Sequence, residues 1–272
     1  MEILFCGTAA AEGWPALFCT CAVCQVARER GGKEVRSRAA YMLGEKVRID
    51  FGPDSNLHQQ KYGLAYEKLE HLIVTHSHED HWTPHELSYR SHGFSVVSES
   101  PLHVWGNQRV EERFIETNGE QWERYQIVFH RLKAFEPIDL GEGLTATPVP
   151  AAHDRREECI NYRVELGGRV ALFGHDTGWY DDPSWEFLRD KPLNLLILDC
   201  THGTEDHHRN HLGGIALVEF RDELAKRGAL ASDAVCVATH FSHNCGSLFA
   251  DLEKFFTPHG FQVAYDGLRL AL

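Results

Sequence analysis

The segment that most constrains how this chain folds is THSHEDH at residues 75–81, which follows a short apolar run. The apolar run predicts a buried strand. Because alternate residues of an extended segment share a face, His76, His78 and Asp80 are expected to point together. His81 joins them where the chain turns. Imidazole nitrogens and carboxylate oxygens are ligands of zinc, manganese and iron. The segment therefore predicts a metal site at a strand end, with a solvated, histidine-rich loop as the alternative.

Short apolar runs recur along the chain and predict many strands and few helices. Strands are expected at residues 3–8, 39–43, 47–51, 71–75, 102–105, 126–132, 144–149, 160–166, 170–173, 194–199 and 235–239, with two short ones near Gln262 and Leu268. Helices are expected at residues 22–30, from Pro84 onward, and at 108–116, 215–226 and 248–255. These elements indicate two packed sheets with helices outside. No linker or repeat interrupts the chain, so one domain over residues 1–272 is expected.

Composition and charge exclude several classes of protein. Of the 272 residues, 43% are apolar and 25% are charged, which is ordinary for a soluble globular protein. The apolar stretches are strand-sized and no signal-peptide pattern is visible, so a cytoplasmic location is expected. The formal net charge of −13 repels long nucleic acid and gives no reason to expect binding to a membrane.

The motif at residues 75–81 resembles the metal-binding motif of the metallo-β-lactamase superfamily, and the resemblance extends over nearly the whole chain. It implies an α/β fold, an αββα sandwich of two mixed β-sheets flanked by helices. The later ligands of the family match PAAHD at residues 150–154, FGHDT at residues 173–177 and the strand end at Thr239. The implied ligands are His76, His78 and His153 for one metal ion, Asp80, His81 and His240 for a second, and Asp176 as the bridge between them.

The resemblance implies a hydrolase that uses a hydroxide held between two divalent metal ions. Such ions lower the pKa of bound water to about 7, which makes hydroxide available at neutral pH. The oxygen-reducing diiron proteins of the superfamily carry a carboxylate where this chain has His78, so hydrolysis is favoured over redox chemistry. The ligand types suit zinc or manganese, and also iron or nickel.

A second metal site is predicted by the C-x-C-x-x-C cluster of Cys19, Cys21 and Cys24. Eight cysteines without an export signal indicate reduced thiols or metal ligands. Three thiols this close are typical of a structural zinc site, and a redox-active pair beside a buried cysteine is the alternative. His243, shortly after the last core strand, is the expected fourth ligand, and Cys245 is its rival.

A cysteine cluster completed by a histidine late in the chain resembles the zinc site of the PhnP-type phosphodiesterases. Those enzymes open cyclic phosphates of ribose and act on small phosphodiesters. This resemblance implies that Asp80 and His211 act in catalysis, with His211 in the NHLGG segment donating a proton to the leaving oxygen. A polar residue at a helix entry is the alternative for His211. Three neighbouring histidines compete for the same role: His202, His207 and His208.

Four further residues are left with two interpretations each. Arg155 and Arg156 directly follow the segment of His153, and they either grip a second phosphate through forked hydrogen bonds or lie in a solvated charged loop. Trp14 and Trp82 either flank the pocket or belong to the core.

The predicted function is hydrolysis of a small anionic phosphodiester, in which a cyclic ribose phosphate is one candidate. A lactonase or thioesterase on the same metal pair is the first alternative. The second alternative is a tRNA-processing nuclease, which the net negative charge of the chain disfavours. The third alternative is a non-catalytic accessory protein similar to PqqB, which resembles this chain in the cysteine cluster but has a degenerate active-site pattern. A homodimer is left open as the oligomeric state.

Overall fold

The computed structural model of the protein describes residues 1–97 and 100–272 and arranges their strands in two sheets of seven. The strands of the first sheet are β1 (Glu2–Gly7), β2 (Ala40–Leu43), β3 (Val47–Ile49), β4 (His71–Ile73), β5 (Leu102–Gly106), β6 (Ile127–Arg131) and β14 (Arg269–Ala271). Those of the second are β7 (Ile138–Asp139), β8 (Thr145–Pro150), β9 (Ile160–Leu166), β10 (Arg169–Gly174), β11 (Leu193–Asp199), β12 (Leu230–Thr239) and β13 (Phe261–Val263). The spatial orders are β14-β1-β2-β3-β4-β5-β6 and β13-β12-β11-β10-β9-β8-β7.

The helices lie mainly between strands. The α-helices are α1 (Ala22–Arg30), α2 (Ser55–Tyr62), α3 (Gln108–Asn118), α4 (Asp182–Leu188), α5 (Gly214–Lys226) and α6 (Phe249–Phe256). Short 3-10 segments occur at Gly32–Glu34, Tyr66–Lys68, Pro84–Arg90, His243–Cys245 and Thr257–His259. Within the described ranges, no helix combines the length and apolar character that crossing a membrane requires.

Both sheets mix antiparallel and parallel pairs, which confirms the predicted αββα sandwich. In the first sheet, β1 pairs antiparallel with β2 and β14, whereas β3 to β6 run parallel. In the second, β8, β9 and β10 are antiparallel, and β10 to β13 are parallel. Parallel neighbours need crossover connections, and α3, α4, α5 and α6 lie in four of them.

An apolar core fills the space between the sheets. The ring of Tyr41 on β2 lies 5.1 Å from Phe5 on β1 and 5.1 Å from Phe173 on β10, so it joins the two sheets. On the outer faces, α3 buries Phe114 against the first sheet and α5 buries Phe220 against the second. Each buried side chain of this size contributes about 1.5–3 kcal/mol to stability.

Most predicted elements are confirmed to within a few residues, and the differences have local causes. The helix predicted from Pro84 is a 3-10 segment. Helices α2 and α4 were not predicted, because α2 is polar with two buried side chains and α4 has only seven residues. The strand predicted to reach Thr75 ends at Ile73, since the backbone N–H of Thr75 donates to the Asp50 carboxylate instead of a neighbouring strand.

The carboxyl ends of five strands place polar residues at one edge of the sandwich. Those residues are Asp50 after β3, His76 after β4, Asp176 after β10, Asp199 at the end of β11 and His240 after β12. The edge beyond the carboxyl ends of parallel strands is where α/β sheets commonly form their ligand sites. The candidate site lies at this edge.

Candidate metal centre

The seven residues predicted as ligands of two metal ions lie in two adjoining groups. The donor atoms of the first group lie within 4.8 Å of one another and belong to His76, His78 and His153. The donor atoms of the second group meet the same limit and belong to Asp80, His81, Asp176 and His240. Residues from four separate segments of the chain therefore converge on one place, with the division that the superfamily resemblance implies.

Asp176 lies between the two groups. Its Oδ2 atom lies 3.1 Å from Nε2 of His240 and contacts Nε2 of His81. The same oxygen is 3.9 Å from Nε2 of His76, and Oδ1 is 3.9 Å from Nε2 of His153. Both groups therefore face this one carboxylate, which is the geometry that a bridging ligand needs.

The alternation argument holds for His76 and His78 and fails for Asp80. The rings of His76 and His78 lie 4.4 Å apart, but the Oδ2 atom of Asp80 lies 2.9 Å from Nε2 of His81 in the other group. After His78 the chain is no longer extended, because the backbone N–H of His81 donates to the carbonyl of His78 at 3.0 Å and closes a turn. Period-two alternation applies only to extended backbone.

Four buried polar atoms in these groups lack a hydrogen-bond partner among the described residues. They are the Nε2 atoms of His76, His81 and His240 and the Oδ2 atom of Asp176. Three of them contact one another as ion pairs, with His240 Nε2 3.1 Å from Asp176 Oδ2, but without hydrogen-bond geometry, so the protein alone satisfies them poorly. Divalent cations coordinated by imidazole and carboxylate would satisfy all four, so the residues present fit a metal pair.

The other ring nitrogen of each histidine is held by a second residue. The contacts are His76 Nδ1 to Thr75 Oγ1 (3.0 Å), His78 Nε2 to Asp154 Oδ2 (3.0 Å), His81 Nδ1 to Asp50 Oδ2 (2.7 Å), His153 Nδ1 to Asn210 O (3.1 Å) and His240 Nδ1 to Thr201 Oγ1 (2.9 Å). Such partners orient metal-binding imidazoles and select the tautomer with a free donor nitrogen. The surrounding residues therefore prepare all five rings for coordination.

Asp50 is a site residue that the sequence interpretation missed. Its fully buried carboxylate accepts hydrogen bonds from His81 and from Nε2 of His175, and from the backbone N–H of Thr75. Burial alone would raise the pKa of Asp50, but the two imidazoles hold its pKa well below the usual range. The sequence feature that could have identified Asp50 is its position directly after strand β3, which is similar to the position of Asp176 shortly after β10.

Asp199 was also missed, and it connects the metal groups to the predicted proton donor. Its Oδ2 atom accepts a hydrogen bond from Nδ1 of His211 at 2.9 Å, and its Oδ1 atom accepts one from the backbone N–H of Leu212 at 3.0 Å. Burial opposes ionisation of Asp199, but His211 and His240 hold its pKa below the usual range. The ring centre of His211 lies 4.8 Å from that of His153, so His211 lies next to the first group of candidate metal ligands.

The three histidines that competed with His211 make different contacts. His202 and His207 stack on each other with ring centres 3.8 Å apart, and Nδ1 of His207 bonds the carbonyl of His211. His208 pairs with Glu219 at 2.7 Å. Of the four, His211 is the one that contacts Asp199 and lies 3.4 Å from Asp176.

Three strand-end residues of the site adopt backbone conformations that are rare for residues other than glycine. Asp50, Asp176 and His240 have φ angles of 62°, 53° and 60°. A non-glycine residue in the left-handed region costs about 1–2 kcal/mol. The hydrogen bonds and packing around the strand ends hold this strain, and the sharp turn after each strand aims the side chain at the site.

The sulfur atoms of the cysteine cluster lie next to His243. Its Nδ1 atom is 3.7 Å from the Sγ atom of Cys19 and 3.5 Å from that of Cys21, and Cys24 completes a group within 4.8 Å. A backbone hydrogen bond from Cys24 lowers the pKa of Cys21 to about 6, which favours a thiolate ligand. Cys245, the rival ligand, is not in this group, and its Sγ atom lies 3.9 Å from the carbonyl of Ser247.

The four residues with two interpretations are placed as follows. Arg156 donates to the Asp154 carboxylate through Nε and Nη2, at 3.0 and 2.6 Å, so it supports the carboxylate that holds His78. Arg155 is exposed, and its guanidinium donates no hydrogen bond to any residue that the structure describes. Trp14 and Trp82 are buried in the core, with 2% and 1% of their surface exposed.

A cavity of about 570 Å³ opens over the two metal groups. Asp80, Asp176 and His240 line it, as do His211 and Glu12. This volume is within the range of about 300–1,000 Å³ that is typical of sites for small molecules. The arrangement therefore combines a candidate pair of cations, a supported imidazole and room for a small ligand.

Comparisons with known proteins agree with this geometry. The sequence profile of the Beta-lactamase superfamily domain matches residues 45–241. A search of curated proteins finds no match to the chain.

Among solved structures, the chain is similar to a diphosphatase from the PhnP family, with 25% identity and a TM-score of 0.74 over 100% of this chain and 97% of that one. It is similar to zinc-bound PqqB from Methylobacterium extorquens, with 17% identity and a TM-score of 0.76 over 100% of both chains. The short form of human tRNase Z shares 17% identity, with a TM-score of 0.65 over 100% of this chain and 99% of that one.

Proposed function

The chain belongs to the beta-lactamase superfamily, and on this basis we propose that it is a metal-dependent hydrolase of small phosphodiesters. The observation that carries the proposal is the convergence of seven donor residues, Asp176 at their centre, with four buried donor atoms that make no hydrogen bond to the described residues. The similarity to a PhnP-family diphosphatase, at 25% identity over nearly both full chains, supports chemistry at phosphorus. The cavity size supports a small substrate, such as a cyclic ribose phosphodiester.

Two divalent ions at this centre would lower the pKa of water to about 7 and stabilise charge on the phosphoryl oxygens. His76, His78 and His153 would hold the first ion, and Asp80, His81 and His240 the second, with Asp176 shared between them. Zinc or manganese suits this donor set, as do iron and nickel. A structural zinc at the cysteine cluster is part of the same proposal.

The chain supplies the proton for the leaving alcohol from His211. Asp199 binds Nδ1 of His211, so the ring is oriented and its charged form is stabilised. Burial lowers the pKa of His211, but the carboxylates of Asp199 and Asp176 raise it, and the resulting pKa lies above its ordinary value. The Nε2 atom makes no hydrogen bond within residues 1–97 and 100–272, and His211 lines the cavity. An imidazole in this position can donate a proton to a leaving oxygen.

The reaction class is tested by a substrate screen on protein of measured metal content. We expect hydrolysis of bis(p-nitrophenyl) phosphate and of a nucleoside 2′,3′-cyclic phosphate, and loss of both activities after chelation and dialysis. Lactones, thioesters and tRNA serve as the comparison substrates. If the protein cleaves an organic diphosphate but no phosphodiester, it would instead be a diphosphatase, like the PhnP-family relative. Full metal occupancy without turnover of any substrate would indicate an accessory protein.

His211→Ala is expected to lower kcat for a phosphodiester by about 10²–10⁴-fold and to leave metal content unchanged, because a proton donor is lost and no ligand is. The measurements are kcat and metal stoichiometry on the same sample. His208→Ala is the matched control, since His208 pairs with Glu219 and not with Asp199. Loss of metal from the His211 variant would make His211 a ligand and contradict the assigned role.

A further inference from the structure

His175, the residue between strand β10 and the bridging Asp176, is fully buried and lies outside both groups of predicted metal ligands. Its backbone carbonyl accepts a hydrogen bond from Nδ2 of Asn161 at 2.7 Å. Its ring stacks on that of His81, with ring centres 5.5 Å apart, and packs against the ring of Tyr41 at 5.1 Å. These contacts hold the imidazole in place next to a candidate metal ligand.

The carboxylate of Asp50 divides its contacts between its two oxygens. Oδ1 accepts hydrogen bonds from the backbone N–H and the hydroxyl of Thr75, at 2.8 and 2.9 Å, and this hydroxyl also lies 3.0 Å from Oδ2. Oδ2 accepts one bond from Nδ1 of His81 at 2.7 Å and one from Nε2 of His175 at 2.8 Å. Thr75 therefore orients the carboxylate, and His175 shares the oxygen that serves His81.

Asp50, His81 and His175 also form a group of donor atoms close enough together to hold an ion. Hydrogen bonds already link these atoms, and the other ring nitrogen of His81 faces Asp176 in the second metal group. All three side chains of the group are 0% exposed, and none of them lines the cavity above the metal groups. The group is therefore a hydrogen-bonded support of the metal centre and not a third ion site.

The sharing of one oxygen has a consequence for His81 as a ligand. A carboxylate that accepts the N–H of a metal-binding imidazole raises the basicity of that imidazole. A second donor on the same oxygen stabilises its negative charge, so the oxygen becomes a weaker acceptor for the first donor. In the protein interior this competition is strong, because the low dielectric strengthens each hydrogen bond. His175 therefore reduces the basicity that Asp50 confers on His81.

We propose that His175 acts through Asp50 to weaken the bond between His81 and an ion in the second metal group. This inference rests on the two-ion centre of the proposed function. A less basic imidazole leaves more positive charge on the ion, and a more positive ion is the stronger Lewis acid. His175 is in this sense a positioning residue, which favours turnover at the expense of metal affinity.

The test compares two replacements of His175. His175→Phe keeps a ring packed on Tyr41 and His81 and removes the N–H that Asp50 accepts, whereas His175→Gln places an amide N–H near the position of Nε2. Tyr41→Phe is the control, since it removes a buried hydroxyl beside His175 that is not among the described donors to Asp50.

The first measurement is the pair of dissociation constants for Co²⁺ at the two-ion centre, obtained by competition with a chelator at fixed pH. Cobalt is the probe because its absorption spectrum distinguishes a nitrogen and oxygen site from the thiolate site of the cysteine cluster. The second is the nuclear magnetic resonance of the Nδ1–H proton of His81 in the zinc-loaded protein. This proton should move downfield in His175→Phe, because Asp50 then accepts one imidazole instead of two.

We expect His175→Phe to bind one of the two ions about tenfold more tightly and to have a lower kcat for a phosphodiester, with His175→Gln and Tyr41→Phe near the wild-type values. Damage to the fold would weaken metal binding, so tighter binding with slower turnover distinguishes the two causes. Unchanged or weaker binding of both ions by His175→Phe would overturn the role of His175. Tighter binding in a protein that cleaves no phosphodiester would keep this role and reject the phosphodiesterase proposal.

Discussion

Asp176→Asn is expected to lower kcat by at least about 10³-fold and to remove most of the metal from the two-ion centre. Asp176 faces both groups, with Oδ2 at His240 and His81 and Oδ1 toward His153. The amide keeps the shape of the side chain and removes its negative charge, so both ions lose a shared anionic ligand. Metal ions contribute several kcal/mol of transition-state stabilisation, and each 1.36 kcal/mol is tenfold in rate.

The measurements are metal content by mass spectrometry, kcat for a phosphodiester and the circular dichroism spectrum. Asp233→Asn is the matched control, since Asp233 is exposed on β12 and makes no ion pair within the described residues. The control should keep its metal and its activity. An Asp176 variant that retains both ions and turns over at the wild-type rate would contradict the bridging role and with it the proposed centre.

Cys21→Ser and His243→Ala are each expected to remove one zinc ion per chain and to lower Tm by about 10 °C or more. Structural zinc contributes about 10–16 kcal/mol in small domains that fold only with the metal, and its loss costs less here because two packed sheets supply an apolar core. For a chain of this size, about 1 kcal/mol corresponds to about 2–4 °C in Tm. The cluster joins the segment before α1 to the loop that follows His240, so its loss frees two segments at once.

Cys245→Ala separates the two candidates for the fourth ligand. Because Cys245 is outside the group formed by the three cysteines and His243, its variant should keep the zinc and show a smaller change in Tm. Zinc content and scanning calorimetry on all three variants give the answer. Retention of zinc by His243→Ala together with its loss from Cys245→Ala would reverse the assignment.

The elements that the sequence predicted well are those with strong local patterns. Strands such as β10 and β11 are continuous apolar runs, and α5 has apolar residues at helical spacing. Helix α2 was missed because it presents polar residues on nearly every side. The 3-10 segment after Thr83 shows the same limit, since a proline predicts the start of a helix but not its type.

The sequence by itself determined the types of donor at the site and their approximate positions. Strand ends and short motifs place histidines, aspartates and cysteines within a few residues of one another. The direction of each side chain along a strand depends on the local backbone, so the sequence is enough to predict it. The tertiary structure decided where the alternation argument fails: Asp80 lies with His81, as the family resemblance implied, and not with His76 and His78. It also decided which supporting residues hold them: Asp154 lies 76 residues from His78 in sequence. Contacts between distant segments depend on how sheets and loops pack together, and no local pattern encodes that packing.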